Sequence, residues 1–128
     1  MEGDILMKIQ ESAENYLETI LMLGKAKGNV RSIDIATALS FSKPSVSVAM
    51  KNLRENGYIL MDKDGFIALT EKGHEIAETI YERHTLLSSF LMYLGVSKET
   101  ATQDACRIEH VISEESFQRL KAAVEPES

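Results

Sequence analysis

The chain has a single cysteine, Cys106, among 128 residues, and it has no long apolar run. One cysteine excludes an internal disulfide, and the paired cysteine spacings of a zinc finger are absent. Without a run of about 18 apolar residues we expect no membrane span. The start, Met1–Asp4, lacks the basic and then apolar order of a secretory signal. We therefore expect a cytoplasmic protein, in a compartment where thiols stay reduced.

The sequence also lacks the usual signatures of an enzyme. It has no glycine-rich phosphate loop, no internal repeat and no low-complexity segment. No Ser/His/Asp order suggests a nucleophilic triad, and the pair Cys106 and His110 has no oxyanion-hole signal beside it. We therefore predict no catalytic residues and a protein that is not an enzyme.

Charge is divided unevenly along the chain. The formal net charge is −6, which by itself argues weakly against a nucleic-acid partner. Residues 25–56, however, contain six basic and two acidic side chains, whereas residues 61–128 contain seven basic and thirteen acidic ones. This division predicts one part that faces a polyanion and another that attracts cations.

The first half of the chain has the pattern of a helix-turn-helix. Apolar residues at three- and four-residue steps predict a first helix from about Ile5 to Lys25. A short second helix is predicted over Ile33–Leu39 with Ser32 as its N-cap, and a third helix begins with Ser42 as cap and Pro44 in the first turn. A short helix, a tight turn and a longer capped helix form a helix-turn-helix, although an ordinary helical hairpin is the alternative.

Two short strands follow this pair of helices. Tyr58–Met61 and Phe66–Thr70 flank the turn sequence Asp62–Gly65. A helix-turn-helix followed directly by a β-hairpin is the winged-helix arrangement, which favours DNA binding. The third helix has small polar and basic residues near its N-terminus, where free N–H groups also suit phosphate. We predict these DNA contacts: Arg31, Ser32, Ser42, Lys43, Pro44, Ser45, Ser47 and Lys51.

The second half reads as helices only. A long helix is predicted over Glu71–Leu94, another over Lys98–Ile112, and a last one after the cap Ser113. The predicted fold class is mainly α: an N-terminal winged helix-turn-helix with a small β-hairpin wing, and then an all-helical domain. We place the domains at residues 1–72 and 73–128.

Cys106, Glu109 and His110 form the most informative group in the chain. On a helix, positions i, i+3 and i+4 share one face, so a thiolate, a carboxylate and an imidazole would point the same way. These are three metal-ligand chemistries. The alternative is that Cys106 is a small buried hydrophobe and that Glu109 and His110 form a solvated edge. His84 lies inside an apolar stripe, where a core histidine with one hydrogen bond is the ordinary explanation.

Three segments give the chain a family resemblance: Glu14–Glu18 (Glu-Asn-Tyr-Leu-Glu), Arg83-His84, and above all Asp104–Ser113 (Asp-Ala-Cys-Arg-Ile-Glu-His-Val-Ile-Ser). With these and the helix-turn-helix, the chain resembles the diphtheria toxin repressor and manganese transport regulator family from Ser12 to about Leu120. The resemblance implies a homodimer with a winged-helix domain and a helical dimerisation domain. It also implies that metal held between the first helix and the dimerisation helices enables binding to double-stranded operator DNA. Longer relatives add an SH3-like domain, for which we expect this chain to be too short.

The resemblance also implies the metal ligands. Glu18 matches a carboxylate ligand of the manganese branch, and Asn15 departs from both branches, which have Met or Asp there. Ser88 and Thr102 stand at two ligand positions of the iron branch's ancillary site, so we expect that site to be altered or lost. His84 would then be available to join Glu18 and Glu109 in a centre like that of the manganese branch. The residues that match family ligands directly are His84, Cys106, Glu109 and His110.

Cys106 stands where the iron branch has cysteine and the manganese branch has glutamate. Thiolate with imidazole favours iron, cobalt, nickel or zinc over manganese, whereas Glu18 favours harder ions. We therefore expect Fe(II) first and Mn(II) second, with Zn(II), Co(II) or Ni(II) as substitutes. Two alternatives stay open: a metal-binding helical protein that does not bind DNA, and, because of Asn15, a metal-independent winged-helix regulator with a degenerate site.

Overall fold

The computed structural model describes residues 2–124, with side chains described from Gln10 onward. Within that range it contains six helices and two strands. In chain order these are α1 (Glu2–Lys27), α2 (Ser32–Leu39), α3 (Lys43–Glu55), β1 (Ile59–Met61), β2 (Ile67–Leu69), α4 (Glu71–Tyr93), α5 (Lys98–Ile108) and α6 (Glu114–Val124). The chain divides into two compact units, residues 1–78 and 79–128. None of the helices in the described range is sufficiently long and apolar to cross a membrane.

In the first unit, packing follows the apolar stripes of the helices. α1 contacts α2 and β2, α2 contacts α3, and α3 contacts β1. On α1 and α3, positions three or four apart supply the buried side chains, as expected for helices with one apolar face. On α3 the buried side chains are Val46, Met50 and Leu53, and residues of α1, α2 and the strands are buried with them: Leu17, Ile20, Ile35, Ile59 and Ile67.

The turn between α2 and α3 is closed by local hydrogen bonds. Ser40 takes a left-handed conformation (φ 57°, ψ 39°) as the C-cap of α2. The Phe41 N–H donates to the Ala36 carbonyl at 3.0 Å. Ser42 then caps α3, because its Oγ accepts the Ser45 N–H at 3.3 Å. The predicted cap Ser42 is confirmed, and Pro44 lies in the first turn as expected.

The predicted cap of α2 is wrong. Ser32 lies inside the helix, and Arg31 is the N-cap with an extended backbone. The Arg31 N–H donates to the carboxylate of Asp34 at 2.9 Å, and Lys27 Nζ donates to the same carboxylate at 2.6 Å. These two bonds, that of Lys27 first, hold the pKa of Asp34 below its usual range. Asp34, three residues after the cap, thus satisfies the backbone N–H of the N-cap residue Arg31, as the acidic residue of a capping box does.

The wing is a short antiparallel hairpin in which Ile59 pairs with Leu69 and Met61 with Ile67. Both strands are slightly shorter than predicted. Its turn is held by Asp62, whose Oδ1 accepts the backbone N–H of Asp64 and of Phe66, each at 2.9 Å. The Ile67 N–H also donates to the Val30 carbonyl at 2.7 Å, which joins the wing to the segment before α2.

The second unit contains most of α4 together with α5 and α6. Its buried apolar side chains come from all three helices: Ile80, Leu86, Leu87, Ala101, Ala105 and Phe117. Ser97 Oγ accepts the Thr100 N–H at 3.3 Å and caps α5, and the predicted cap Ser113 is confirmed by a 3.1 Å bond from the Ser116 N–H. α5 ends at Ile108, whereas Ile112 was predicted. Residues 109–111 form a turn, in which the Val111 and Ile112 N–H groups share the Ile108 carbonyl at 3.0 Å.

Candidate metal centre and nucleic-acid face

The end of α5 positions the thiol and the carboxylate of the candidate metal centre. Cys106 lies in the last turn of the helix, and Glu109 is its C-cap with helical dihedral angles (φ −57°, ψ −27°). The Glu109 N–H donates to the Ala105 carbonyl at 2.9 Å. The helical register therefore extends through Glu109, which keeps the i and i+3 side chains on one face. His110 follows in the turn.

Three predicted ligands from two helices of the second unit converge. His84 Nδ1 on α4 lies 2.8 Å from Glu109 Oε2 and 3.8 Å from Cys106 Sγ. The candidate ligand atoms of the three residues all lie within 4.8 Å of one another. On the other side of the carboxylate, His110 Nε2 lies 3.3 Å from Glu109 Oε1. The carboxylate of Glu109 thus has an imidazole beside each of its oxygens.

Burial distinguishes this cluster from an ordinary surface group. Glu109 is fully buried, at 0% exposure, and the side chains of His84 and His110 are 15% and 9% exposed. Glu109 Oε1 accepts no hydrogen bond from the described residues. A buried carboxylate requires compensating positive charge. Glu109 is therefore not part of a solvated edge, and the exposed Cys106 is not a buried hydrophobe.

The donor set fits a divalent transition-metal ion. It combines a thiol sulfur, imidazole nitrogens and a carboxylate, with the acceptor oxygen of Glu109 directed into a sheltered cluster. Sulfur and imidazole suit iron, cobalt, nickel or zinc, while the carboxylate also suits manganese. The ordinary reading of His84 as a core histidine is incomplete, because its ring nitrogen faces a carboxylate and a thiol at once.

Two further predicted ligands lie on α1, in the first unit. Glu18 is buried, at 4% exposure, and Asn15 is half-buried one helical turn before it. The Asn15 carbonyl accepts a hydrogen bond from Thr19 Oγ1 at 2.8 Å, so its backbone is part of the regular helix. Burial of a carboxylate on α1 is the feature that separates Glu18 from the exposed acids of the chain.

By the family resemblance, Ser88 and Thr102 stand at two ligand positions of the iron branch's ancillary site. Neither residue offers a carboxylate or an imidazole. Ser88 is buried, and its Oγ donates to the His84 carbonyl at 2.8 Å. Thr102 is exposed on α5. The hydroxyl of Ser88 is thus bonded to the backbone of its own helix, an ordinary arrangement for serine.

Several predicted DNA contacts lie around one surface hollow of the first unit. The hollow is lined by Ser32 and Ile33 of α2 and by Lys43 and Ser47 of α3. Lys43, Ser45, Ser47 and Lys51 are all exposed. Three of the predicted residues, Ser32, Lys43 and Ser47, therefore lie together on one polar surface.

The side of α3 opposite its buried stripe contains one residue that sequence reasoning missed. Val48 is 61% exposed, and helical spacing places it beside Pro44 and Lys51. A signal existed, because Val48 is an apolar residue outside the stripe defined by Val46 and Met50. Exposed apolar side chains on a recognition helix are suited to contact with thymine methyl groups.

Arg31 and Ser42 have local partners as well as exposed positions. The Arg31 guanidinium lies 4.4 Å from the centroid of the Phe66 ring, so it is held against the wing. Ser42 Oγ donates to Ser45 Oγ at 2.8 Å while it caps α3. Both side chains therefore contribute to the shape of the basic surface.

A winged helix with a basic surface on its longer helix, in a chain that also has a sheltered cluster of metal-ligand side chains, defines the class of metal-responsive DNA-binding proteins. Comparison with known protein families gives two matches, which cover consecutive parts of the chain. Residues 8–67 match the iron-dependent repressor N-terminal DNA-binding domain. Residues 70–126 match the iron-dependent repressor metal-binding and dimerisation domain.

Individual relatives cover most of the chain. An uncharacterised HTH-type transcriptional regulator of Methanocaldococcus jannaschii is 34% identical over 119 residues, which are 91% of this chain and 95% of that protein. The HTH-type transcriptional regulator MntR of Geobacillus kaustophilus is 38% identical over 109 residues, 85% of this chain and 77% of that one. The chain belongs to the iron-dependent repressor family of metal-dependent transcriptional regulators.

Among solved structures, the chain is similar to the manganese regulator SloR, with a TM-score of 0.78 and 31% identity over 88% of this chain. It spans about half the length, 53%, of that structure. The predicted winged-helix fold class, the family resemblance and the predicted class of function are confirmed.

Proposed function

We propose that this protein is a cytoplasmic repressor that binds double-stranded operator DNA as a homodimer when it holds Fe(II) or Mn(II), and that it has no catalytic activity. The observation that supports this most strongly is Glu109, a fully buried carboxylate beside two imidazoles and near a thiol, in a chain that also contains a winged helix. Withdrawing a carboxylate from water is costly. A cation-binding role gives that burial a function.

The residues that would hold the cation are proposed from the cluster and from the family resemblance. In the second unit, Glu109 supplies the sheltered carboxylate. From α1 in the first unit, Glu18 and Asn15 are the further proposed ligands, supported by the resemblance and by the burial of Glu18. When bound, the cation supplies positive charge shared between these side chains. The remaining proposed ligands are His84, Cys106 and His110.

The resemblance implies that metal binding is coupled to DNA binding, and α1, which carries Glu18, packs on α2 and on the wing strand β2. The α2–α3 pair then presents Lys43, Ser47 and Lys51 to phosphates and base edges. In a homodimer, two such helices match half-sites about 34 Å apart or a multiple of it. The proposed domains are residues 1–72 and 73–128. This boundary lies close to the end of the wing and the start of α4.

The choice of metal is proposed from donor chemistry. A thiolate and imidazoles rank iron, cobalt, nickel and zinc above manganese, and carboxylates reduce that preference. Fe(II) is the proposed physiological ion because Cys106 stands among the ligands, with Mn(II) second. Zn(II), Co(II) and Ni(II) are expected to substitute in vitro.

The test compares wild type with Glu109→Gln under anaerobic conditions. Each protein is equilibrated with Fe(II), Mn(II), Zn(II) or Co(II), bound metal is measured by elemental analysis, and binding to genomic and random DNA is measured by gel shift. Wild type should retain metal and shift a subset of genomic fragments, and Glu109→Gln should lose both properties. Metal retention without any DNA shift would favour a metal-binding protein of another kind, and a DNA shift without metal would favour a metal-independent regulator.

A further inference from the structure

The guanidinium of Arg83 on α4 contacts the turn that follows α5. Its Nη1 donates to the carbonyl of Glu109 at 3.2 Å and to the carbonyl of Ile112 at 2.8 Å. Its Nη2 donates to the carboxylate of Glu114 at 2.9 Å. The side chain is only 12% exposed, and its carbon Cζ lies 5.4 Å from the ring centroid of the buried Phe117.

These contacts address a general weakness of helix ends. The last carbonyls of a helix and the turn beyond it lack intrahelical donors. In α5 this happens at Ile108, directly before Glu109 and His110. The Val111 and Ile112 N–H groups satisfy the Ile108 carbonyl. Arg83 supplies donors for two carbonyls of the following turn, 109–112.

We propose that Arg83 is a positioning residue for the metal centre: it fixes the turn 109–112, and through it the side chains of Glu109 and His110, in the arrangement that binds metal. The inference rests on the proposed function, since it takes Glu109 and His110 as ligands. Arg83 itself contributes no ligand atom. Groups that orient metal ligands without touching the ion commonly change metal affinity by 10- to 100-fold when removed.

An arginine suits this task for a geometric reason. Its planar guanidinium presents several N–H donors in a fixed fork, so one side chain serves two carbonyls and a carboxylate together. A lysine at the same place has one ammonium on a flexible stem and would not hold all three partners at once. The conservative change Arg83→Lys should therefore retain charge but lose part of the positioning.

The experiment uses Co(II) as the probe, because its absorption reports both binding and ligand geometry. Wild type, Arg83→Met, Arg83→Lys and the control Arg107→Met are titrated anaerobically. Arg107 lies on the same α5, is 80% exposed, and has an ion-pair contact with Asp104 at 4.0 Å. Arg83→Met should weaken Co(II) affinity by roughly 10- to 100-fold and Arg83→Lys by less, whereas Arg107→Met should stay within about twofold of wild type because most surface changes have little effect.

A second measurement separates positioning from general stability, and it needs no metal. Amide hydrogen exchange is followed in the metal-free proteins for Val111 and Ile112, with Leu86 and Leu87 in the core of α4 as reference. Local loosening of the turn predicts faster exchange at Val111 and Ile112 than at the reference amides in Arg83→Met. A purely structural role would accelerate all four amides by the same factor.

The outcomes are distinct. Equal Co(II) affinity of Arg83→Met and Arg107→Met, or a uniform rise in exchange, would overturn the proposal. If Arg83→Met does not fold, Arg83→Lys decides by the same two criteria. If wild type binds no Co(II), the proposed metal site fails and Arg83 has no ligands to position, whereas normal binding by wild type and by Arg83→Met removes only the role of Arg83.

Discussion

Glu109 has a side chain that is fully buried, with His84 Nδ1 at 2.8 Å and His110 Nε2 at 3.3 Å from its two oxygens. At the scale of single residues, this arrangement is what the proposed metal site depends on. The placement of Cys106 beside Glu109 was readable in the sequence because one helical face is a local property, whereas His110 lies in the turn after α5. The contact of Glu109 with His84 was not readable, since the two residues are 25 positions apart in the sequence.

Replacing Cys106 by Ala should weaken binding of Fe(II) roughly tenfold or more and that of Mn(II) much less. A thiolate is a soft ligand that contributes more to iron than to manganese. The measurement is competitive anaerobic titration of both ions, with Gln103→Ala on the exposed part of α5 as the matched control. Equal losses for the two ions would contradict the role given to the thiol.

Asp34 supplies a pH-dependent contribution to stability. Lys27 and the Arg31 N–H lower its pKa in the folded protein, so its contribution is present above the unfolded pKa of about 3.9 and is lost as the pH falls through the folded pKa. Asp34→Asn should therefore be less stable than wild type at pH 7, by about 0.2–1 kcal/mol as for exposed pairs, and the difference should shrink at acidic pH.

Urea unfolding at pH 7 and near pH 3 measures this difference for Asp34→Asn. The control is Asp64→Asn in the exposed turn of the wing. If the difference in unfolding free energy between wild type and Asp34→Asn grows on acidification, the predicted pH dependence is contradicted. The same Asp34 carboxylate accepts the Arg31 N–H at 2.9 Å, and the N-cap is Arg31, one residue before the predicted cap Ser32.

At the scale of elements, the starts of α3 and α6 were predictable from local sequence. The caps Ser42 and Ser113 each accept an N–H three residues later, so the signal lies within four residues of sequence. The end of α5 differs. The spacing of apolar residues predicted that α5 continues to Ile112. The turn after Ile108 is instead held by Arg83 from another helix, a contact that no local sequence pattern reveals.

Gly73 marks a close approach of α4 to the wing, and Gly73→Ala should destabilise the protein. A Cβ at Gly73 would lie 2.1 Å from the Tyr58 carbonyl oxygen, so the backbone must shift, at a cost of about 1–3 kcal/mol. The matched control is Gly24→Ala in α1, where an added Cβ meets nothing within 4 Å among the described residues. Gly24→Ala should stabilise by up to about 1 kcal/mol.

Thermal and urea unfolding of both glycine variants check this prediction. The two substitutions add the same methyl group to a helix, so opposite signs isolate the contact with Tyr58 from helix propensity. A neutral Gly73→Ala would show that α4 is not packed tightly against the residue before β1.

The basic surface of α3 makes a separate prediction about DNA. Lys43→Ala and Lys51→Ala should each reduce the slope of log affinity against log salt by about one unit per subunit, hence by about two for the homodimer, because each removes one phosphate contact per subunit. Lys98→Ala, an exposed lysine at the start of α5, changes the charge equally and should leave the slope unchanged. Fluorescence anisotropy at several salt concentrations provides the slopes. If neither α3 variant changes the slope, the DNA-binding surface does not include these two lysines.

At the scale of the whole molecule, the division of charge matches the division of function in the family. The net positive residues 25–56 include α2 and α3, and the acidic remainder contains the proposed metal ligands of the second unit. This could be read from the sequence, because charge content needs no structure. What sequence alone left open was whether the ligand types converge, which the cluster of His84, Cys106 and Glu109 answers within the second unit.

The central claim is that metal and operator DNA bind to this chain with a favourable coupling. It is tested most directly by measuring the affinity of wild type and Glu109→Gln for one selected genomic fragment, with saturating Fe(II) or Mn(II) and with a chelator. For wild type we expect metal to tighten binding by roughly 5- to 150-fold, the usual range of such linkage. For Glu109→Gln we expect weak binding in both conditions. Equal affinity of wild type with and without metal would contradict the claim, because a ligand shifts only an equilibrium in which it binds the two states differently.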